Sequence, residues 1–309
     1  MSGHGDSTRA IFFALGANFA IAVAKGVAAF VTGSGAMLAE TVHSFADCGN
    51  QLLLLLGVKR GQRAPTPEHP LGFGREIYFW SFLVAVMLFS IGGMFSIYEG
   101  VHKLQHPEPL ESWGWAAGVL VFAIIAEGTS MHACLGEVRK ARGERSIWQW
   151  FRQSRQAELV VIFGEDLAAL LGLTFALAAV LLSVATGNPV WDAIGTVAIG
   201  VLLVVIAVLV AIEVKGMLVG QSVDPALERQ LRAFFEARPE IERVVHLIPM
   251  QLGSDVLVSV QATMAETADA QALLHDITRV ERALKQTFPA VRWSFFEPEA
   301  ADTPKAALV

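Results

Sequence analysis

The sequence predicts an all-α six-span transmembrane bundle followed by a C-terminal cytoplasmic α+β domain. Three observations lead there. Of 309 residues, 54% are hydrophobic and 17% charged, with a mean hydropathy of +0.51, too apolar for a soluble enzyme of this size. Stretches near 10–31, 36–57, 77–104, 113–134, 157–185 and 189–215 are each long enough, at about 20 residues, to cross a hydrocarbon core of about 30 Å. From about Asp224 the composition turns polar and the apolar spacing becomes that of short helices and strands.

Along the chain, Met1 to Arg9 is polar and carries acid, and the apolar run after it exceeds a signal-peptide core, so no cleaved signal is expected. Basic residues alternate between connections. Lys59, Arg60, Arg63 and Arg75 lie between spans two and three; Arg139, Lys140, Arg142, Arg145, Arg152 and Arg155 lie between four and five. The connections Gly33 to Gly35, Leu104 to Ser112 and Thr186 to Asn188 hold almost none. By the positive-inside rule both termini are cytoplasmic, as an even number of spans requires.

In the tail, Asp224-Pro225 reads as a helix N-cap followed by proline at the first helical position, and this helix ends before Pro239. Val244 to Met250 reads as a strand whose end Pro249 demotes to an edge or bulge. Val256, Val258, Val260, Ala262 and Met264 alternate with Asp255, Leu257, Ser259, Gln261 and Thr263, the period of a strand buried on one face. Leu273, Leu274, Ile277, Val280, Leu284 and Phe288 recur at helical spacing, and Val291 to Phe296 returns as a strand. The order is αββαβ, a small two-layer domain that would gain from dimerisation.

Chemistry concentrates in span two. His43 and Asp47 stand four residues apart, which brings both side chains to nearly one helix face with a rise of about 6 Å, within reach of one ion. An ionisable group in the bilayer costs at least about 2.5 kcal/mol, so something must offset it, and an intramembrane metal does. A hydrogen-bonded structural pair is the bland alternative. Asn18, Lys25, Glu40, Glu99, Glu127, His132 and Asp192 read as helix–helix glue or interfacial groups. The two cysteines, Cys48 and Cys134, lie in apolar segments and form no disulfide framework.

His43-Ser44-Phe45-Ala46-Asp47 followed by Asn50-Gln51, the basic loop with Pro67-Glu68-His69-Pro70-Leu71-Gly72-Phe73-Gly74, Gly164-Glu165-Asp166-Leu167 in span five, and a tail ending Phe296-Glu297-Pro298 together resemble the cation diffusion facilitator family of divalent-metal/proton antiporters, in its mitochondrial-type zinc-transporter branch and bacterial relatives. The resemblance implies a transmembrane transport domain over 1–219 and a metallochaperone-like cytoplasmic domain over 220–309. It implies a homodimer and efflux of zinc, or of a similar divalent cation such as manganese, cobalt or iron, against protons by alternating access. It implies a metal site with two ligands from span two and two from span five. His43 and Asp47 match the first pair and Asp166 the second aspartate, but Ile162 stands where the fourth ligand would be. Glu165, about 100° round the helix from Asp166, or a bound water, is left to close the shell. His69 matches one ligand of an accessory loop site, with Thr66 and Phe73 at two others; His246 and His275 fall one position off the tail's metal positions, and Phe295 replaces a histidine there. A metal-free dimerisation tail is expected.

The net charge of −6 argues against nucleic-acid partners. No His-Glu-x-x-His and no nucleophile paired with a base suggests an intramembrane hydrolase, so no enzyme and no cofactor is expected. The expected surroundings are the lipid bilayer of a bacterial inner membrane. A membrane-anchored scaffold whose tail recruits a partner is the competing class.

Overall fold

The computed structural model describes residues 3–32, 35–107 and 113–300, with side chains described from residue 15 onward except at 17, 28, 32 and 35–40. It divides into two compact units: residues 1–60, 76–152 and 156–215 in the first, and 61–75, 153–155 and 216–309 in the second. Two loops, 61–75 and 153–155, thus pack with the tail rather than with the helices.

The first unit is helical. α1 (Gly3–Thr32), α2 (Gly35–Gly61), α3 (Glu76–Met87), α4 (Phe95–Gln105), α5 (Trp113–Arg142), α7 (Ala157–Thr186) and α8 (Val190–Val219) follow the expected order, and the short α6 (Ile147–Gln153) precedes α7. Four stretches among the described residues are long and apolar enough to cross a membrane: Glu76–Gln105, Trp113–Arg142, Ala157–Thr186 and Val190–Val219. α5 runs to Arg142, eight residues past the expected end of that span, because a basic last turn suits both a helix C-terminus and water. α6 was not foreseen; it anchors through Trp150, buried edge-on to Phe163 with ring centroids 5.7 Å apart.

Small residues set the helix packing. Gly164 and Gly172 of α7 admit Val210 and Ile199 of α8, and Gly195 of α8 admits Ala179. The α7–α8 hairpin turns at Gly187, whose φ of 66° is a left-handed C-cap, and Asn188 Oδ1 then accepts from the Val190 amide at 3.0 Å to start α8. Between α3 and α4 the helix widens into a π-helical segment, Leu88–Met94, carrying Gly92 and Gly93. Such widened turns recur at functional sites.

In the second unit α9 (Pro225–Glu236) begins at Asp224, whose side chain accepts from the Ala226 amide at 2.8 Å. β1 (Ile241–Leu252) and β2 (Asp255–Met264) pair antiparallel, and β2 pairs parallel with β3 (Val291–Glu299) after α10 (Ala270–Thr287), giving the order β1-β2-β3. Pro249 lies within β1, opposite Val258, tolerated on an edge strand that runs three residues beyond it. One face of the sheet packs Val256, Val258, Val260 and Ala262 against Leu231, Phe235, Val280 and Leu284. Leu274, expected on the buried stripe of α10, is 62% exposed, because the helix core begins further along. Both outer strands exceed their expected lengths, since pairing with β2 carries them on.

Candidate metal centre

α2 holds His43 and Asp47 together inside the bundle: His43 is buried, and its Nε2 lies 3.5 Å from Asp47 Oδ2. Two donors about 2.1 Å from one tetrahedral ion stand about 3.4 Å apart, so the pair is spaced as ligands of a zinc-like ion would be. Neither ring nitrogen of His43 has a hydrogen-bond partner. Gly92 makes room for the imidazole; a methyl there would sit 3.6 Å from Nδ1.

The neighbouring carboxylates of α7 diverge, as their 100° separation requires. Asp166 turns to α5, where the Ser130 hydroxyl donates to both its oxygens at 3.3 Å. Glu165 is buried, lies within electrostatic reach of Asp47, Glu127 and Asp166, and faces the Asn50 amide without a hydrogen bond of ordinary geometry. Glu127, three residues before Ser130 on α5, is buried and within electrostatic reach of both α7 carboxylates. Lys25 of α1, buried, donates to Ser44, the residue after His43, at 2.8 Å.

These groups form pairs rather than one closed shell. Among the described residues no three His, Cys, Asp or Glu side chains converge at metal-holding distance. His43 and Asp47 are together, Glu165 looks toward α2, and Asp166 is held on the α5 side. Ile162, one turn before Asp166, offers no donor.

The other expected positions carry less. His69 packs against Phe73 with ring centroids 4.5 Å apart and tilted by 31°, the Arg63 guanidinium lies over the Phe73 ring, and the His69 amide donates to Thr66 Oγ1 at 3.2 Å. This loop packs on the tail within the second unit: Arg75 donates to Met250 Sδ at 3.0 Å, and Gly74 lies so close to Leu252 that any side chain would strike its carbonyl. His246 sits in β1 opposite Gln261, and His275 lies on the exposed side of α10. Asp192, read as helix–helix glue or interfacial, forms an ion pair of 2.6 Å with Lys103 between α4 and α8, and Arg152 pairs with Glu213. The side chain of Glu40 lies outside the described residues.

Sequence reasoning did not place four neighbours of these groups. Asn50 was legible as the third member of a stripe, seven residues after His43. Glu127 and Ser130 share a face of one span, but nothing in spacing says which neighbour that face meets. Gly92 had no sequence signal beyond being small.

The model of the cation efflux transmembrane domain matches residues 11–219. The mitochondrial proton-coupled zinc antiporter SLC30A9 of Xenopus laevis is 36% identical over 217 residues, covering 70% of this chain and 39% of that protein. Its human counterpart is 34% identical over 225 residues, 72% of this chain and 39% of the relative. The zinc transporter ZitB of Escherichia coli is 25% identical over 275 residues, 88% of this chain and 82% of its own length. The chain thus spans about two-fifths of the SLC30A9 proteins it matches.

Proposed function

Since the chain belongs to the cation efflux family, whose members are multi-pass integral membrane transporters, we propose that it exports zinc from the cytoplasm in exchange for protons, by alternating access around His43, Asp47 and the α7 carboxylates Asp166 and Glu165. One observation carries the proposal: a buried imidazole with no hydrogen-bond partner at either nitrogen, spaced from an aspartate as two ligands of one tetrahedral ion. A structural pair would bond; a waiting ligand need not.

The chemistry couples metal to protons without further parts. Zinc ligation needs neutral imidazole and ionised carboxylate, so protons arriving from the far side compete for the same atoms and displace the ion. Acid should therefore weaken zinc binding and base strengthen it. Imidazole favours zinc, while the surplus of oxygen donors leaves manganese, cobalt and iron as competitors to be measured.

The reading extends to architecture. α1 and α2, at 30 and 27 residues, are long enough to span as well, which makes six crossings with both termini cytoplasmic. The transport domain covers 1–219 and the cytoplasmic domain 220–309, the latter joining two copies as a homodimer without metal. The membrane proposed is a bacterial inner membrane; ZitB, matched over 82% of its length, is a bacterial relative.

The test is flux of zinc, manganese, cobalt and iron into proteoliposomes holding the full chain, with and without an imposed pH gradient. Zinc uptake driven by an outward proton gradient is expected. Absence of flux for all four metals would overturn transport, and flux of zinc indifferent to the gradient would overturn antiport.

A further inference from the structure

Asn50 is the most deeply buried polar group beside the site, with no exposed surface. Neither its amide nitrogen nor its carbonyl oxygen has a hydrogen-bond partner. Such a group is costly to keep in a helical bundle unless something outside the protein satisfies it. It stands three residues after Asp47 and seven after His43, within about 60° of both on α2, so the three project along one stripe. Across from it stands Glu165, buried, with Oε1 also unpartnered. An amide facing a carboxylate ordinarily donates to it; here the two stand close enough to interact but fall short of ordinary hydrogen-bond geometry.

Two further facts define what fits. Ile162 leaves the stripe of Asp166 one donor short. Asp47, Glu165 and Asp166 already bring enough negative charge to neutralise a divalent ion, so the remaining donor need not be charged. A neutral oxygen closes the shell without adding charge, and an asparagine carbonyl is such a donor.

Resting on the transport reading above, we propose that Asn50 is itself a ligand of the transported divalent cation, its side-chain carbonyl joining Glu165 to supply the oxygen that Ile162 cannot, so that the site extends one turn along α2 from His43 and Asp47. The amide nitrogen then points away from the ion. With one nitrogen and several oxygens, the site admits zinc but discriminates less sharply against manganese than one with two imidazoles.

The test is equilibrium binding of zinc and of manganese to the full chain purified in detergent, comparing the wild type with Asn50→Leu, Asn50→Ala and Asn50→Asp. Both apolar variants are expected to lose at least about tenfold in zinc affinity, and Asn50→Asp, which keeps an oxygen in place, to regain it with manganese gaining relative to zinc. If Asn50 were a hydrogen-bond donor to Glu165, Asn50→Asp would set two carboxylates face to face and bind as poorly as Asn50→Ala; that result, or wild-type affinity in Asn50→Leu, overturns the assignment. Should the apolar variants fail to fold, Asn50→Asp decides alone, and an unchanged manganese-to-zinc ratio overturns it. A wild-type protein that binds neither metal fails the transport reading itself; one that binds zinc while Asn50→Leu binds equally well fails only this inference.

Discussion

Adjacent carboxylates on α7 do different things. Asp166 is fixed by Ser130, whereas Glu165 looks at Asp47 and Asn50. If both donate to the ion, Glu165→Gln should slow zinc flux nearly as much as Asp166→Asn, each by at least about tenfold, because either change removes an anionic oxygen. A mild Glu165→Gln would hand that position to water. Ile162→His should then tighten zinc binding and sharpen its preference over manganese, since it places an imidazole on the stripe of Asp166. His43→Ala and Asp47→Ala should abolish flux while leaving protein level and membrane insertion unchanged, because removing a buried polar group lowers the cost of insertion. Normal zinc transport in both would remove α2 from the site.

The widened turn between α3 and α4 is the element that meets the site. Gly92 lies against His43 Nδ1, and Ser96 returns its hydroxyl to the Gly92 carbonyl at 2.7 Å. An added methyl has ordinary clearance there, but a branched side chain does not. Gly92→Ala should transport nearly normally, and Gly92→Val should lose zinc affinity while the protein stays folded, read by binding against thermal melting. Equal affinity in the two variants would detach the π-helical turn from the metal. The same segment approaches α8 by backbone: a Cβ at Gly200 would lie 2.7 Å from the Ile97 nitrogen and 2.8 Å from the Gly93 carbonyl oxygen. Gly200→Ala should therefore cost about 1–3 kcal/mol through overpacking, seen as a lower melting temperature. An unchanged melting temperature would show that the two helices can separate freely.

At the scale of the whole molecule, orientation and association are the open properties. Tags on either terminus should be reachable only from the cytoplasmic side, as the basic connections require, and labelling of the C-terminus on intact cells would reverse the topology. The open face of the tail sheet sets Ile248 and Phe295, 51% and 54% exposed, on either side of Ser259 in one row. Two copies that bury this row would dimerise without metal, since phenylalanine stands where the resemblance expects a histidine. Phe295→Glu should shift the full chain toward monomer in detergent by sedimentation, and zinc should leave the wild-type dimer constant unchanged. A large rise in dimer affinity on adding zinc would show that His246, His275 or their acidic neighbours bind metal after all.

Local rules carried the sequence reading a long way. Hydropathy placed the long helices, the Asp224-Pro225 cap started α9, alternation from Val256 to Ala262 marked β2, and four-residue spacing joined His43 to Asp47, because each is a property of neighbours along one chain. Three features were decided only by tertiary packing. The π-helical turn exists where Gly92 and Gly93 let α3 and α4 close on His43 and α8. The chain between 61 and 75 joins the tail because Gly74 and Arg75 meet the β1–β2 hairpin. Glu127, Ser130 and Asn50 enter the carboxylate cluster because α2, α5 and α7 turn those particular faces inward. A helix carries its own periodicity, so its sequence says which residues share a face; which partner that face meets is set by how whole helices pack, and no single helix encodes that.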